Sequence, residues 1–155
     1  MDQRQQFFLT AIADPSKGNI DIKDLPPDFI YQLQENLARL ETFGDKYNIN
    51  HTSLKHTFVD GLYLREITMQ KGRIVISHKH KTTHPYIISK GVVTVFIPEE
   101  GLVVLKAPFQ GITKAGTKRL LFINEETVWT TIHKTDLTDP DKIVMEITEP
   151  ERLLQ

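Results

Sequence analysis

Three histidines, His78, His80 and His84, follow one another closely at the end of a run, residues 73–80, that reads as a β-strand. By the two-residue period of a strand, Ile74, Ile76, His78 and His80 share one face. An apolar face that ends in two imidazoles aims both rings the same way, and His84, four residues on, can close over them. Clustered imidazoles are ligands for zinc, nickel, copper and iron, and manganese is the fifth candidate. The chain contains no cysteine. That excludes disulfides, thiolate zinc sites and cysteine nucleophiles, and leaves His, Asp and Glu as the available ligand types.

The elements that must position these rings belong to one domain, as expected for 155 residues. Hydrophobic residues make up 39% and charged residues 25%, a globular composition. Nineteen basic residues against 20 acidic ones give a net charge of −1, and no basic stripe stands out. Nucleic acid and anionic membrane are therefore excluded as expected partners. Phe7-Phe8-Leu9-Thr10-Ala11-Ile12-Ala13 is too short and too polar at its flanks for a secretion signal, so a secreted product is not expected. No run approaches the ~20 apolar residues of a membrane span.

Residues 1–55 read as an arm followed by one helix. The stretch Asp14-Pro15-Ser16-Lys17-Gly18-Asn19 is turn-forming. Pro26-Pro27-Asp28 then opens a helix with Ile30, Leu33, Leu37 and Leu40 at helical spacing, closed by Gly44. The arm either docks on its own domain or reaches a neighbour. Residues 56–148 carry short Val-, Ile- and Thr-rich runs at 62–69, 73–77, 86–88, 92–97, 102–105, 119–123, 128–133 and 143–147, separated by turn signals such as Lys90-Gly91 and Asn124-Glu125-Glu126. That pattern predicts a mainly β sandwich or barrel. Residues 149–155 read as a tail. His51 and His56 precede the barrel and read as surface residues, Trp129 as a core or subunit-contact anchor, and Glu125 and Glu126 as an exposed hairpin tip.

In this region the sequence resembles the cupin superfamily. Gly72, five residues, His78-Lys79-His80, three residues, His84, six residues and Gly91 reproduce the spacing of the first cupin motif, with His84 where Glu is usual. Lys114-Ala115-Gly116-Thr117-Lys118-Arg119 falls where the second motif is expected, with Arg119 in place of its metal-binding His. The stretches 114–122 and 125–133 also resemble small cupin-like proteins of tailed bacteriophages. The resemblance implies a jelly-roll barrel with any metal in its mouth. It also implies a viral setting, in the host cytoplasm or the virion.

A guanidinium cannot ligate a cation, so Arg119 removes one usual ligand and His133 is the candidate replacement. If 124–127 makes a hairpin loop, strands 119–123 and 128–133 pair and bring His133 beside Lys118 or Arg119. Facing inward, His133 completes a four-nitrogen site with His78, His80 and His84; facing outward, it leaves three histidines and an open position. A barrel whose histidines bond only to one another is the competing reading, and there Arg119, with Lys79, Lys81 and Lys118 nearby, would hold a small anion.

Three functions follow. The first is a phage-encoded binding or structural module, a homo-oligomer acting as an accessory virion or assembly component beside other virion proteins. The second is a metal-dependent enzyme of the dioxygenase, isomerase or lyase type. The third is a protein that sequesters a small anionic ligand through Arg119. No residue identifies itself as a catalytic acid, base or nucleophile, which puts the module ahead of the enzyme.

Overall fold

Two strands are long enough to belong to both walls of the domain. In the computed structural model, which describes residues 3–14, 25–26, 28–39, 53–98 and 100–150, β4 (His84–Ile97) and β7 (Leu120–Lys134) run antiparallel from Tyr86↔Thr131 to Phe96↔Leu120. The first half of β4 pairs with β6 (Phe109–Thr113) and its second half with β5 (Gly101–Lys106). The first half of β7 pairs with β3 (Ile74–Ile76), and its second half with β2 (Leu62–Met69), which also carries β1 (Ser53–Val59) at the edge. The pairing yields one wall ordered β1-β2-β7-β4-β6 and another ordered β3-β7-β4-β5, every neighbour antiparallel. Ile67, Met69, Tyr86, Ile88 and Trp129 from the first wall meet Val75, Val93, Val95, Leu105, Leu121 and Ile123 from the second in one core. The fold is a mainly β, antiparallel jelly roll, as the strand pattern predicts.

The long strands replace two turns expected from sequence. Lys90-Gly91 lies inside β4, and 124–127 lies inside β7, so 119–123 and 128–133 do not pair as a hairpin. Both segments sit where the strands change walls, with register shifts between Ile88 and Val93. A bulge bends a strand without reversing it, and turn-type residues suit either outcome. Gly91 takes φ +100°, and a Cβ there would press on Glu126 O and Thr127 Oγ1 and lie 2.7 Å from Thr127 Cα. Lys90 Nζ and Glu126 Oε1 form an exposed ion pair across the bend at 2.7 Å.

Helices cover the outer face of the second wall. The arm is itself a helix, α1 (Gln3–Ala13), so the expectation of a single helix before the barrel is corrected to two, with α2 at Phe29–Arg39. Phe8 and Ile12 of α1 pack with Phe29, Ile30 and Leu33 of α2 on Ile74, Phe96 and Leu120. The Phe8 ring meets Phe29 and Phe96 edge-on, with centroids 4.9 and 4.8 Å apart. Asn36 Nδ2 donates to buried Gln5 Oε1 at 2.8 Å and ties the helices together. The arm thus docks on its own domain. The side chains of Leu37 and Leu40, together with Gly44, His51, the 15–24 turn and the 151–155 tail, lie outside the described residues.

The run 143–147, expected as a strand, is the helix α3 (Pro140–Ile147). Asp139 caps it, Oδ1 accepting from Asp141 N–H at 3.0 Å, and Pro140 begins its first turn. Ile143 and Ile147, one helical turn apart, bury against Tyr63. β1 and β6 were not separated by the sequence pattern: β1 is exposed along its whole length, and β6 is interrupted by Gly111, against which the Tyr86 ring lies. Among the described residues no helix is long and apolar enough to cross a membrane.

Two variants test this packing by urea denaturation. Phe8→Ala is expected to lower stability by about 3–5 kcal/mol, as for a fully buried aromatic; a loss under about 1 kcal/mol would mean that α1 does not dock. Gly91→Ala should cost clearly more than Gly72→Ala, because Gly72 has a similar positive φ but nothing within 4 Å of a Cβ.

Candidate metal centre

Two of the clustered imidazoles stand on β-strands and the third on irregular chain. His84 opens β4 opposite Thr113, and alternation turns His84, Tyr86 and Ile88 inward. His133 stands near the end of β7 opposite Tyr63, in the inward series with Trp129 and Thr131. His80 follows β3 on irregular chain. Its carbonyl accepts from Gly116 N–H at 2.8 Å, and it forms an isolated antiparallel bridge with Thr148. On either side of it, Lys81 N–H donates to Ile147 O and Glu149 N–H to Lys79 O, both at 2.7 Å. The segment beyond α3 therefore holds His80 in place.

One ligand-type nitrogen from each of His80, His84 and His133 lies within 4.8 Å of the others. Ring centroids are 4.5 Å apart for His80–His84, 4.4 Å for His84–His133 and 5.6 Å for His80–His133. His84 Nδ1 donates to Thr82 O at 3.1 Å, which places its proton there and leaves Nε2 with a free lone pair. His133 Nε2 contacts Thr131 Oγ1 at 2.9 Å, whereas its Nδ1 is buried with no partner among the described residues.

Desolvation is the largest influence on all three rings. It pulls His80 down to about 3, helped by His84, His133, His78 and Arg65. It pulls His133 down to about 4, helped by His84 and Arg65. His84 is also lowered by burial, against the opposing bond to Thr82. The rings are therefore neutral at physiological pH, the form that ligates metal. Neutral donors, close convergence and an orphaned buried nitrogen fit a divalent transition ion.

The four sequence-selected histidines divide three and one. His133 faces inward and joins His80 and His84, while His78 is exposed and lines the same cavity outside that cluster. The strand ends at Ile76, so the shared face expected from 73–80 is not formed. Ile74 faces the helices and Val75 the core. Arg119 is buried at 7% exposure, its guanidinium carbon 4.8 Å from the Tyr86 ring centre and 5.6 Å from that of Trp129. Lys118 turns to the opposite side, with Nζ 5.0 Å from the Tyr31 ring centre on α2. His56 is exposed on β1, its Nδ1 2.6 Å from the Tyr63 hydroxyl. Trp129 is a core residue, stacked on Tyr86.

Sequence reasoning missed Arg65, which lines the cavity from β2. Its trace was present in Tyr63-x-Arg65-x-Ile67-x-Met69, where an inward series is interrupted by one charge. The cavity measures about 130 Å³ and has apolar walls from Ile67, Met69, Val75, Leu121 and Trp129.

No family model matches the chain, and no curated protein matches it. Solved structures similar to it include a cupin-2 domain protein from Shewanella frigidimarina (13% identity, TM-score 0.45, covering 53% of this chain and 79% of that one). Another is an RmlC-like cupin family protein with a double-stranded β-helix fold from Methanocaldococcus jannaschii (13%, 0.48, 62% and 88%). A third is an acetylacetone dioxygenase from Acinetobacter johnsonii (18%, 0.46, 58% and 65%). The architecture described above rests on the strand pairing and not on these likenesses.

The depressed basicity has a consequence for stability. The unfolded chain takes up protons on its histidines near pH 6.5, as free imidazole does, while the folded one resists. Stability from these groups is complete above about pH 6.5 and is lost as pH falls through about 4 for His133 and about 3 for His80. The urea midpoint of metal-free protein should drop across that window, and a His80→Gln/His133→Gln variant should show a shallower drop. Equal slopes for the two proteins would contradict buried, neutral rings.

Proposed function

We propose that this chain is a metal-binding jelly-roll module in which His80, His84 and His133 hold one divalent transition ion. The observation that carries this reading is the convergence of three neutral imidazoles, one of which has a buried nitrogen without a partner among the described residues. His84 would ligate through Nε2, since Thr82 O orients its other nitrogen. His133 would use the orphaned Nδ1, with Thr131 Oγ1 on its Nε2. The bond partners of His80's backbone keep the third ring over the other two. Zinc, nickel, iron, copper and manganese all remain candidates, imidazole favouring the first four.

A binding or structural role is supported by the cavity wall, which among the described residues contains no carboxylate able to act as acid or base. The setting we propose, an accessory virion or assembly component of a phage, rests on the sequence resemblance alone. Self-association is proposed through β1, an edge strand on which Leu54, Phe58 and Val59 are exposed. An enzymatic reading is favoured by one feature: three protein nitrogens beside a cavity is the ligand count of catalytic zinc sites. There a bound ion would supply a Lewis-acid centre.

Elemental analysis of untagged protein tests the site. About one transition ion per chain is expected in the parent. His84→Ala and His133→Ala should each remove it, while His78→Ala should retain it. No metal in the parent after dialysis against divalent zinc, nickel and copper would overturn the proposal.

A further inference from the structure

Two guanidinium groups share the cavity with the three clustered histidines, and among the described residues no carboxylate lines it. Arg119 is 7% exposed, and its Nε is buried without a hydrogen-bond partner among the described residues. It packs against Tyr86 and Trp129, whose ring faces attract the cation but accept none of its in-plane N–H groups. Arg65 occupies the inward series of β2, opposite Thr131 of β7. Burial lowers the basicity of both groups. Exposed Glu100 acts on Arg119 from outside the cavity wall. Arg65 in turn acts on His80 and His133, and Arg119 on His84, so the charges flank the imidazoles.

We propose that this cavity takes a small organic carboxylate with an apolar body, its charge read by Arg119 and Arg65. A desolvated guanidinium without an anion is unfavourable, and a carboxylate matches its planar fork. The remaining walls, Ile67, Met69, Val75, Leu121 and Trp129, suit a hydrocarbon body and not the hydration shell of an inorganic anion. At about 130 Å³ the space suits a few-carbon ligand. A divalent ion at the histidines would add positive charge beside the same anion, so metal and carboxylate should raise each other's affinity by the same factor. That linkage rests on the metal reading; the carboxylate site itself does not.

Trp129 is the single tryptophan of the chain and lines the cavity, so its fluorescence reports occupancy. Full-length protein, chelator-treated or zinc-loaded, would be titrated with butyrate, with uncharged butyramide and with inorganic phosphate. Butyrate should bind at least about tenfold more tightly than butyramide, as expected for charge-assisted hydrogen bonds. Zinc should tighten butyrate further. Arg119→Met and Arg65→Met should each weaken butyrate by about tenfold or more and leave butyramide unchanged.

Equal affinity for butyrate and butyramide in the unmutated protein would overturn the proposal, whether or not the variants fold. Phosphate binding more tightly than butyrate would overturn it in favour of an inorganic-anion site. Zinc binding without any butyrate preference removes this inference alone. A butyrate preference without zinc binding supports it and removes the metal reading instead.

Discussion

β4 and β7 lie side by side for most of their lengths, and each must pass from one wall to the other in mid-strand. Everything else in the domain hangs on that bend. Inward residues of β4 fall on even numbers before it (His84, Tyr86, Ile88) and on odd numbers after it (Val93, Val95). The bulge supplies the shift that keeps both halves apolar toward one core. Without it, Phe96 would exchange places with Val95, and the helix-facing surface would lose a ring that Phe8 packs against. Gly91 makes the bend sterically feasible because the neighbouring β7 backbone occupies the space of a side chain.

The bend also separates two tasks. The second wall is covered outside by α1 and α2, and its inner face gives Val75 and Leu121 to the core and to the cavity's apolar side. The first wall carries His84, His133 and Arg65 on its inner face, where they line the cavity. Polar groups can be tolerated there because the cavity leaves room for a ligand to satisfy them. α3 closes one side of the cavity: Ile143 and Ile147 pack on Tyr63, and the chain beyond them clasps the backbone around His80. Site and closing helix therefore depend on one another, since loosening α3 would release the segment that presents His80.

Within the cavity, burial lowers the basicity of both kinds of base, with different results. It keeps the imidazoles neutral, and so available as lone-pair donors. The guanidiniums stay charged in spite of it, because arginine is too basic to give up its proton under these conditions. The result is a cavity of neutral donors between fixed positive charges. A cation and an anion together meet its electrostatic demands better than either one alone.

The sequence by itself determined the elements whose signal is local. Alternation announced the β domain, and His80 and His84, close together in the chain, announced two of the three clustered imidazoles. Ile30 and Leu33 marked the buried face of α2. Where the signal was ambiguous, tertiary structure decided. Lys90-Gly91 and 124–127 carry residues suited to a turn or a bulge, and only pairing across the sheet chose the bulge. Ile143 and Ile147 satisfy either period, and their joint packing on Tyr63 goes with the helix that Asp139 caps. Whether His133 faced inward hung on a one-residue register that long-range pairing with β2 settles. Arg65, Arg119 and the histidines lie far apart in the chain, and their meeting is a property of strand order. Local residue types carry propensity, but which side chains share a cavity is set by register and topology, and those are fixed only when the walls close on each other.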